Sequence, residues 1–227
     1  MESEFWHERW QTGSTRFDQT EVHLLLAEHW LSQVGAGAVF VPLCGRTIDM
    51  EWLAAQGHRV VGNELSPIAV ADFFEHRDLM PDVRTEGTLV VHTATDYELW
   101  CGDLFDMPTA ALDGVTAVYD RASLVAMPPE MRRRYVDHMI AIVPTDALIF
   151  LISFEYDQVE MDGPPFSVER DEVTDLYADA FTPEVVVAAD VLERNPDLRA
   201  RGLTRLTETL TVLRRCVRPL DPATHLT

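Results

Sequence analysis

Apolar positions along this chain recur in two periods, and the alternation between them sets the expected order of elements. Over residues 21–31, Val22, Leu25, Leu26, Trp30 and Leu31 follow helical spacing up to the break at Gly35-Ala36-Gly37. A strand is expected from about Ala38, then a short helix over 48–56 closed by Gly57, and a second strand over 58–62. Ser66 caps the next helix, which runs to about His76 with Pro67 at its first position. Together these make one βαβα unit.

Farther on, residues 88–92 and 97–101 are β-rich runs that fit either a hairpin or a strand pair, and 115–119 reads as a buried strand. Pro128-Pro129 opens a helix with Met131, Tyr135, Met139, Ile140 and Val143 on one stripe, and 147–154 is a continuous apolar strand. After the loop Asp162-Gly163-Pro164-Pro165-Phe166, a helix over 169–178 leads to strands over 184–192 and 204–213. No long helix separates these last two, so the sheet is expected to end antiparallel. Residues 1–16 carry Phe5, Trp6 and Trp10 with neither strand alternation nor a long helical stripe, and read as a segment folded over the rest. The expected architecture is one α/β domain over 1–227. It has a mostly parallel seven-stranded sheet, helices on both faces, an antiparallel C-terminal end, a covering segment over 1–20 and a loose tail over 219–227.

Composition narrows the function. A chain of 227 residues, 47% hydrophobic and 25% charged, suits one globular domain with a sizeable core. The formal charge of -20 repels a phosphate backbone, so nucleic acid is not an expected partner. All 18 basic residues are arginine, which excludes a P-loop lysine and a Schiff-base lysine. The acidity would attract a cationic ligand such as a sulfonium, but a solvated face tuned for solubility or a salty interior is the reading that charge alone favours. Three cysteines without framework spacing, and no basic-plus-apolar leader, point to a reducing, cytoplasmic setting. No apolar stretch approaches the roughly 20 residues that span a bilayer. The eight histidines never stand three or four apart, so no metal is expected.

The chemistry concentrates in residues 39–46, Val-Phe-Val-Pro-Leu-Cys-Gly-Arg, and in Glu64, 19 residues beyond Gly45 at the end of a second strand. Strand, tight loop, helix, strand and acidic tip is the layout by which an open α/β sheet holds an adenosine-type ligand, the carboxylate accepting from ribose hydroxyls. Gly45 stands alone where dinucleotide loops carry two or three glycines, which argues against a pyrophosphate over the helix and so against NAD. S-adenosylmethionine has no phosphate to accommodate. An antiparallel sheet end likewise favours the Rossmann-like methyltransferases over a dinucleotide fold. Glu64 also suits a helix N-terminus by its charge alone. Asp103 and Leu104 occupy the next loop and are placed to meet an adenine. Arg121, at the tip of Tyr119-Asp120-Arg121, either binds a carboxylate or forms a salt bridge to Asp120 or Glu64.

Seven motifs in order resemble the bacterial thiopurine S-methyltransferases. They are 5–10 (Phe-Trp-His-Glu-Arg-Trp) followed by Phe17, 41–45, 60–62 with 64–66 (Asn63 standing where an apolar residue is common), Trp100-Cys101-Gly102-Asp103, Tyr119-Asp120-Arg121-Ala122, Glu155-Tyr156-Asp157 and Gly163-Pro164-Pro165-Phe166, spread over residues 4–215. The resemblance implies transfer of a methyl group from S-adenosyl-L-methionine to the sulfur of a small aromatic or heterocyclic thiol; a monomer is expected. The resemblance implies that Trp10, Leu43, Glu64 and Arg121 bind the cofactor with Asp103 and Leu104 near its adenine, and that Phe17 faces the acceptor ring; from its place at a strand tip, Arg121 is expected also to orient the acceptor. The family's usual histidine after that phenylalanine is replaced here by Asp18, which bears on acceptor preference or pH profile. Methylation of selenium or tellurium species or another natural thiol, or a non-catalytic sensor of the cofactor, are the competing expectations.

Overall fold

The structure is a computed structural model and describes residues 3–13, 15 and 19–216. Its centre is one nine-stranded sheet in the order β3-β4-β5-β2-β1-β6-β7-β9-β8. The strands are β1 (Ala38–Val41), β2 (Val60–Glu64), β3 (Asp82–Glu86), β4 (Leu89–Ala94), β5 (Tyr97–Cys101), β6 (Val115–Arg121), β7 (Leu148–Glu155), β8 (Phe181–Asp190) and β9 (Thr207–Arg215). The five central strands, β5-β2-β1-β6-β7, pair in parallel, and an antiparallel pair closes each edge.

Alternation along each central strand divides the core between the two faces of the sheet. Phe40, Val118, Ile149 and Leu151 face one cluster, which includes Tyr135, Val136 and Met139 of α5 (Pro129–Ile142) and Val173 and Leu176 of α6 (Arg170–Tyr177). Val39, Val41, Tyr119, Phe150 and Ile152 face the other. That second cluster takes in Leu26 and Trp30 of α2 (Leu24–Gln33), Met50 and Leu53 of α3 (Asp49–Ala55), and Val70 and Phe73 of α4 (Pro67–Glu75). Helices therefore cover both faces, as expected.

Several details depart from the sequence reading. The sheet has nine strands where seven were expected. β3 is exposed at all five positions and reads Asp-Val-Arg-Thr-Glu, so its backbone pairing with β4 leaves no hydrophobic alternation to detect. β4 and β5 form the hairpin, resolving that alternative. The N-terminal residues fold as α1 (Ser3–Gln11), a helix of little more than two turns that is too short to display a periodic stripe. A further short helix, α7 (Pro196–Ala200), lies in the β8–β9 connection. Ser66 stands at the cap position of α4, but its side chain makes no capping hydrogen bond. The expected tail over 219–227 and the site candidates Phe17 and Asp18 lie outside the described residues. No helix among the described residues is long and apolar enough to cross a membrane.

Candidate functional site

Parallel strands bring all their carboxyl ends to one edge, so the loops after β1, β2, β5 and β6 converge there. Residues 42–48 turn sharply between β1 and α3, with φ of 46° at Leu43 and 53° at Gly45. Glycine takes that left-handed conformation freely; at Leu43 it is strained and must be held by its surroundings. The holding bonds are visible: Cys44 N donates to the Asn63 carbonyl (2.8 Å), Gly45 N donates to Glu64 Oε2 (2.8 Å), and Ser123 Oγ donates to the Pro42 carbonyl (2.8 Å). Gly62 is required beneath the loop, because a Cβ there would stand 2.8 Å from Cys44 Sγ and 2.5 Å from Leu99 Cδ2.

Glu64 is buried at the tip of β2 and accepts from backbone on both oxygens, Gly45 N on Oε2 and Ser66 N on Oε1 (2.7 Å). Burial pushes its carboxyl up to about 7, outweighing the amides that stabilise the ionised form. Each oxygen keeps a further lone pair for a ligand hydroxyl. On either side of Glu64 in sequence, Asn63 Oδ1 and Ser66 Oγ are buried without a hydrogen-bond partner. Unpartnered polar atoms beside a buried carboxylate are unusual, and both of these side chains are enclosed by the protein.

The remaining candidates occupy the same edge. Gly102 N donates to the Glu64 carbonyl (2.9 Å), and Asn63 Nδ2 reaches the Trp100 and Gly102 carbonyls, so the β5 loop is tied to β2. In that loop Asp103 is exposed and accepts from Phe105 N, while Leu104 is buried and its carbonyl meets His138 Nε2 at 2.8 Å. Trp10 is buried in α1, and the Arg46 guanidinium lies 5.6 Å from its ring centre, which brings the N-terminal helix to the 42–48 loop. Arg121 pairs with Asp49, a residue the sequence reading passed over, with 3.7 Å between Nη1 and Oδ2, where Asp120 or Glu64 had been the expected partners. Asp120 instead accepts from Tyr135 Oη (2.7 Å) and Leu124 N (3.2 Å). Burial raises its carboxyl to about 6. A cleft lined by Leu43, Gly45, Thr47, Tyr119, Arg121 and Ala122 opens between the β1 and β6 loops.

Comparison with known proteins gives the family. The family model for thiopurine S-methyltransferase matches residues 1–216. The chain belongs to the thiopurine S-methyltransferase family. It is 47% identical over 211 residues to the thiopurine S-methyltransferase of Methylococcus capsulatus, covering 92% of this chain and 95% of that one. To the thiopurine S-methyltransferase of Xanthomonas axonopodis pv. citri it is 44% identical over 217 residues, covering 95% and 100%. Among solved structures, the Burkholderia thailandensis 1,6-didemethyltoxoflavin-N1-methyltransferase, with bound S-adenosylhomocysteine, shares the fold at a TM-score of 0.61 and 17% identity, over 93% of this chain and 86% of that one. Geranyl diphosphate C-methyltransferase from Streptomyces coelicolor does so at a TM-score of 0.60 and 14% identity, over 94% and 97%. Family membership makes the chain an S-adenosylmethionine-dependent methyltransferase and places its cofactor in the expected class.

Asp49 went unnoticed because an aspartate in the first turn of a helix needs no further reason than the helix dipole. Only the fold brings it under β6.

Proposed function

We propose that this family member methylates the sulfur of small aromatic or heterocyclic thiols, thiopurines among them, at the edge where the β1, β2, β5 and β6 loops meet. The observation that carries the site is the buried Glu64, bonded at the tip of β2 to Gly45 of the loop that, with Leu43 and Arg121, lines the cleft. In this reading Glu64 accepts from ribose hydroxyls, Leu43 and Trp10 enclose the cofactor, Asp103 and Leu104 border the adenine, and Arg121 contacts cofactor and acceptor. Phe17 and Asp18 would meet the acceptor from the N-terminal segment, which closes over the edge through α1.

When bound, S-adenosylmethionine supplies an electrophilic methyl carbon on a sulfonium. The residues need only align an acceptor sulfur with it and keep water out, because a thiolate is already a strong nucleophile and aromatic thiols ionise more readily than cysteine at about 8.5. Arg121 is suited to stabilising an anionic acceptor, being 11% exposed and always charged. The three free thiols, with burial holding Cys44 and Cys101 well above their usual range, fit a reducing cytoplasm. A monomer that ignores nucleic acid is in keeping with the charge of -20.

The test is labelled methyl transfer to a panel of thiopurines, simple aromatic thiols and selenium or tellurium oxyanions, alongside calorimetric binding of S-adenosylhomocysteine. Turnover of the aromatic thiols is expected. Binding without turnover of any acceptor would leave a sensor, and turnover of the oxyanions alone would move the substrate class.

A further inference from the structure

Asp49 is the point where three parts of the ligand edge meet. It is 1% exposed, at the first position of α3 directly after the 42–48 loop. His23 N donates to its Oδ1 (2.9 Å), and Tyr119 Oη donates to its Oδ2 (2.9 Å). The Arg121 guanidinium approaches the same Oδ2 at 3.7 Å. Asp49 N in turn donates to Thr47 Oγ1 at 3.3 Å, which joins the carboxylate to the lining of the cleft. Two residues of β6 and the entry to α2 are thus referred to one buried charge.

The distances differ in kind. At 2.9 Å the tyrosine and the amide are hydrogen-bonded, which fixes the carboxylate plane. A separation of 3.7 Å from Arg121 is too long for a hydrogen bond, so Asp49 attracts the guanidinium without engaging its donors. An ionised carboxylate excluded from water is costly unless such partners surround it, and removing the partner charge is correspondingly damaging. This geometry holds the arginine by charge next to the cleft that it lines.

We propose that Asp49 is a positioning residue for methyl transfer, setting the Arg121 guanidinium over the cleft and referring it to the β1 loop and to the start of α2. The inference rests on Arg121 acting at the site as read above. Asp49 touches neither cofactor nor acceptor in this role; it acts through Arg121.

A double-mutant cycle separates positioning from support of the fold. Asp49→Asn keeps the size of the side chain and removes its charge. In the otherwise unaltered protein it is expected to lower kcat/KM for an aromatic thiol about tenfold and to weaken S-adenosylhomocysteine binding in calorimetry. In the Arg121→Gln background the same change is expected to have no further effect on either quantity. Tyr119→Phe, which removes only one hydrogen bond to the carboxylate, is expected to give a smaller loss with the same dependence on Arg121, and it decides the matter if Asp49→Asn does not fold. Losses that multiply across the two backgrounds, or a lowered thermal midpoint of the ligand-free protein with kinetics and binding intact, would overturn the proposal. If Arg121→Gln is itself without effect, the role assigned to Arg121 fails first, and the two failures are told apart.

Discussion

Glu64 combines a buried position with two backbone donors, and its behaviour with pH follows. Its carboxyl titrates at about 7 in the folded protein against about 4.5 when exposed. A folded value above the unfolded one means that the native state holds the proton more tightly, so the contribution of Glu64 to stability is fully present below about 4.5 and is lost as pH rises through about 7. The shift corresponds to a loss on the order of 3 kcal/mol. Ligand hydroxyls are donors and favour the ionised form, so cofactor affinity is expected to rise over the same interval. Thermal unfolding and S-adenosylhomocysteine titrations between pH 5 and pH 8 would check both, and Glu64→Gln is expected to flatten the binding profile and to leave in the unfolding profile the contribution of Asp120, raised to about 6. A binding constant that is level across this range in the unaltered protein would contradict the assignment of Glu64.

The elements divide into those written in local pattern and those written in pairing. α5, β6, β7 and the β1–α4 unit emerge from spacing of apolar residues, because each helix presents a continuous face to one core and each central strand is apolar on both faces, one toward each core. β3 and α1 do not: one is a solvated edge held by backbone hydrogen bonds, the other a short helix positioned by the body of the protein. The site was legible to a similar degree. Glu64 and the 42–48 loop follow from their place at strand ends, and Trp10 required the family resemblance. The Asp49–Arg121 pair, 72 residues apart, depends on β1 and β6 lying side by side. At this scale Gly62→Ala is an informative change, since its Cβ would meet Cys44 Sγ at 2.8 Å and Leu99 Cδ2 at 2.5 Å. It is expected to cost about 1–3 kcal/mol in chemical unfolding by overpacking. It should also weaken cofactor binding, because Cys44 belongs to the 42–48 loop proposed to hold the cofactor.

For the molecule as a whole, charge and the N-terminal helix are the features with measurable reach. A net charge of -20 favours approach of a sulfonium-bearing ligand, so the KM for S-adenosylmethionine is expected to rise as salt is raised from 20 to 300 mM. A KM independent of salt would leave the acidity to solubility alone. Trp10→Ala is expected to raise that KM about tenfold, while far-UV circular dichroism stays close to that of the unaltered protein, because α1 adds no strand to the sheet.

The loops at the ligand edge are not independent fingers. Pro42 is bonded to Ser123, Cys44 to Asn63, Gly45 to Glu64, and Glu64 and Asn63 to Gly102, so the ends of four strands are stitched laterally to one another. A lateral seam of this kind makes the edge one mechanical piece, in which a shift of any loop is shared by the rest. Altering acceptor choice by changing residues within the seam will therefore disturb cofactor grip as well. The place to redesign is the rim beyond it, where the loop after β7 is packed on a separate small cluster of Tyr156, Met161, Leu192 and Leu203.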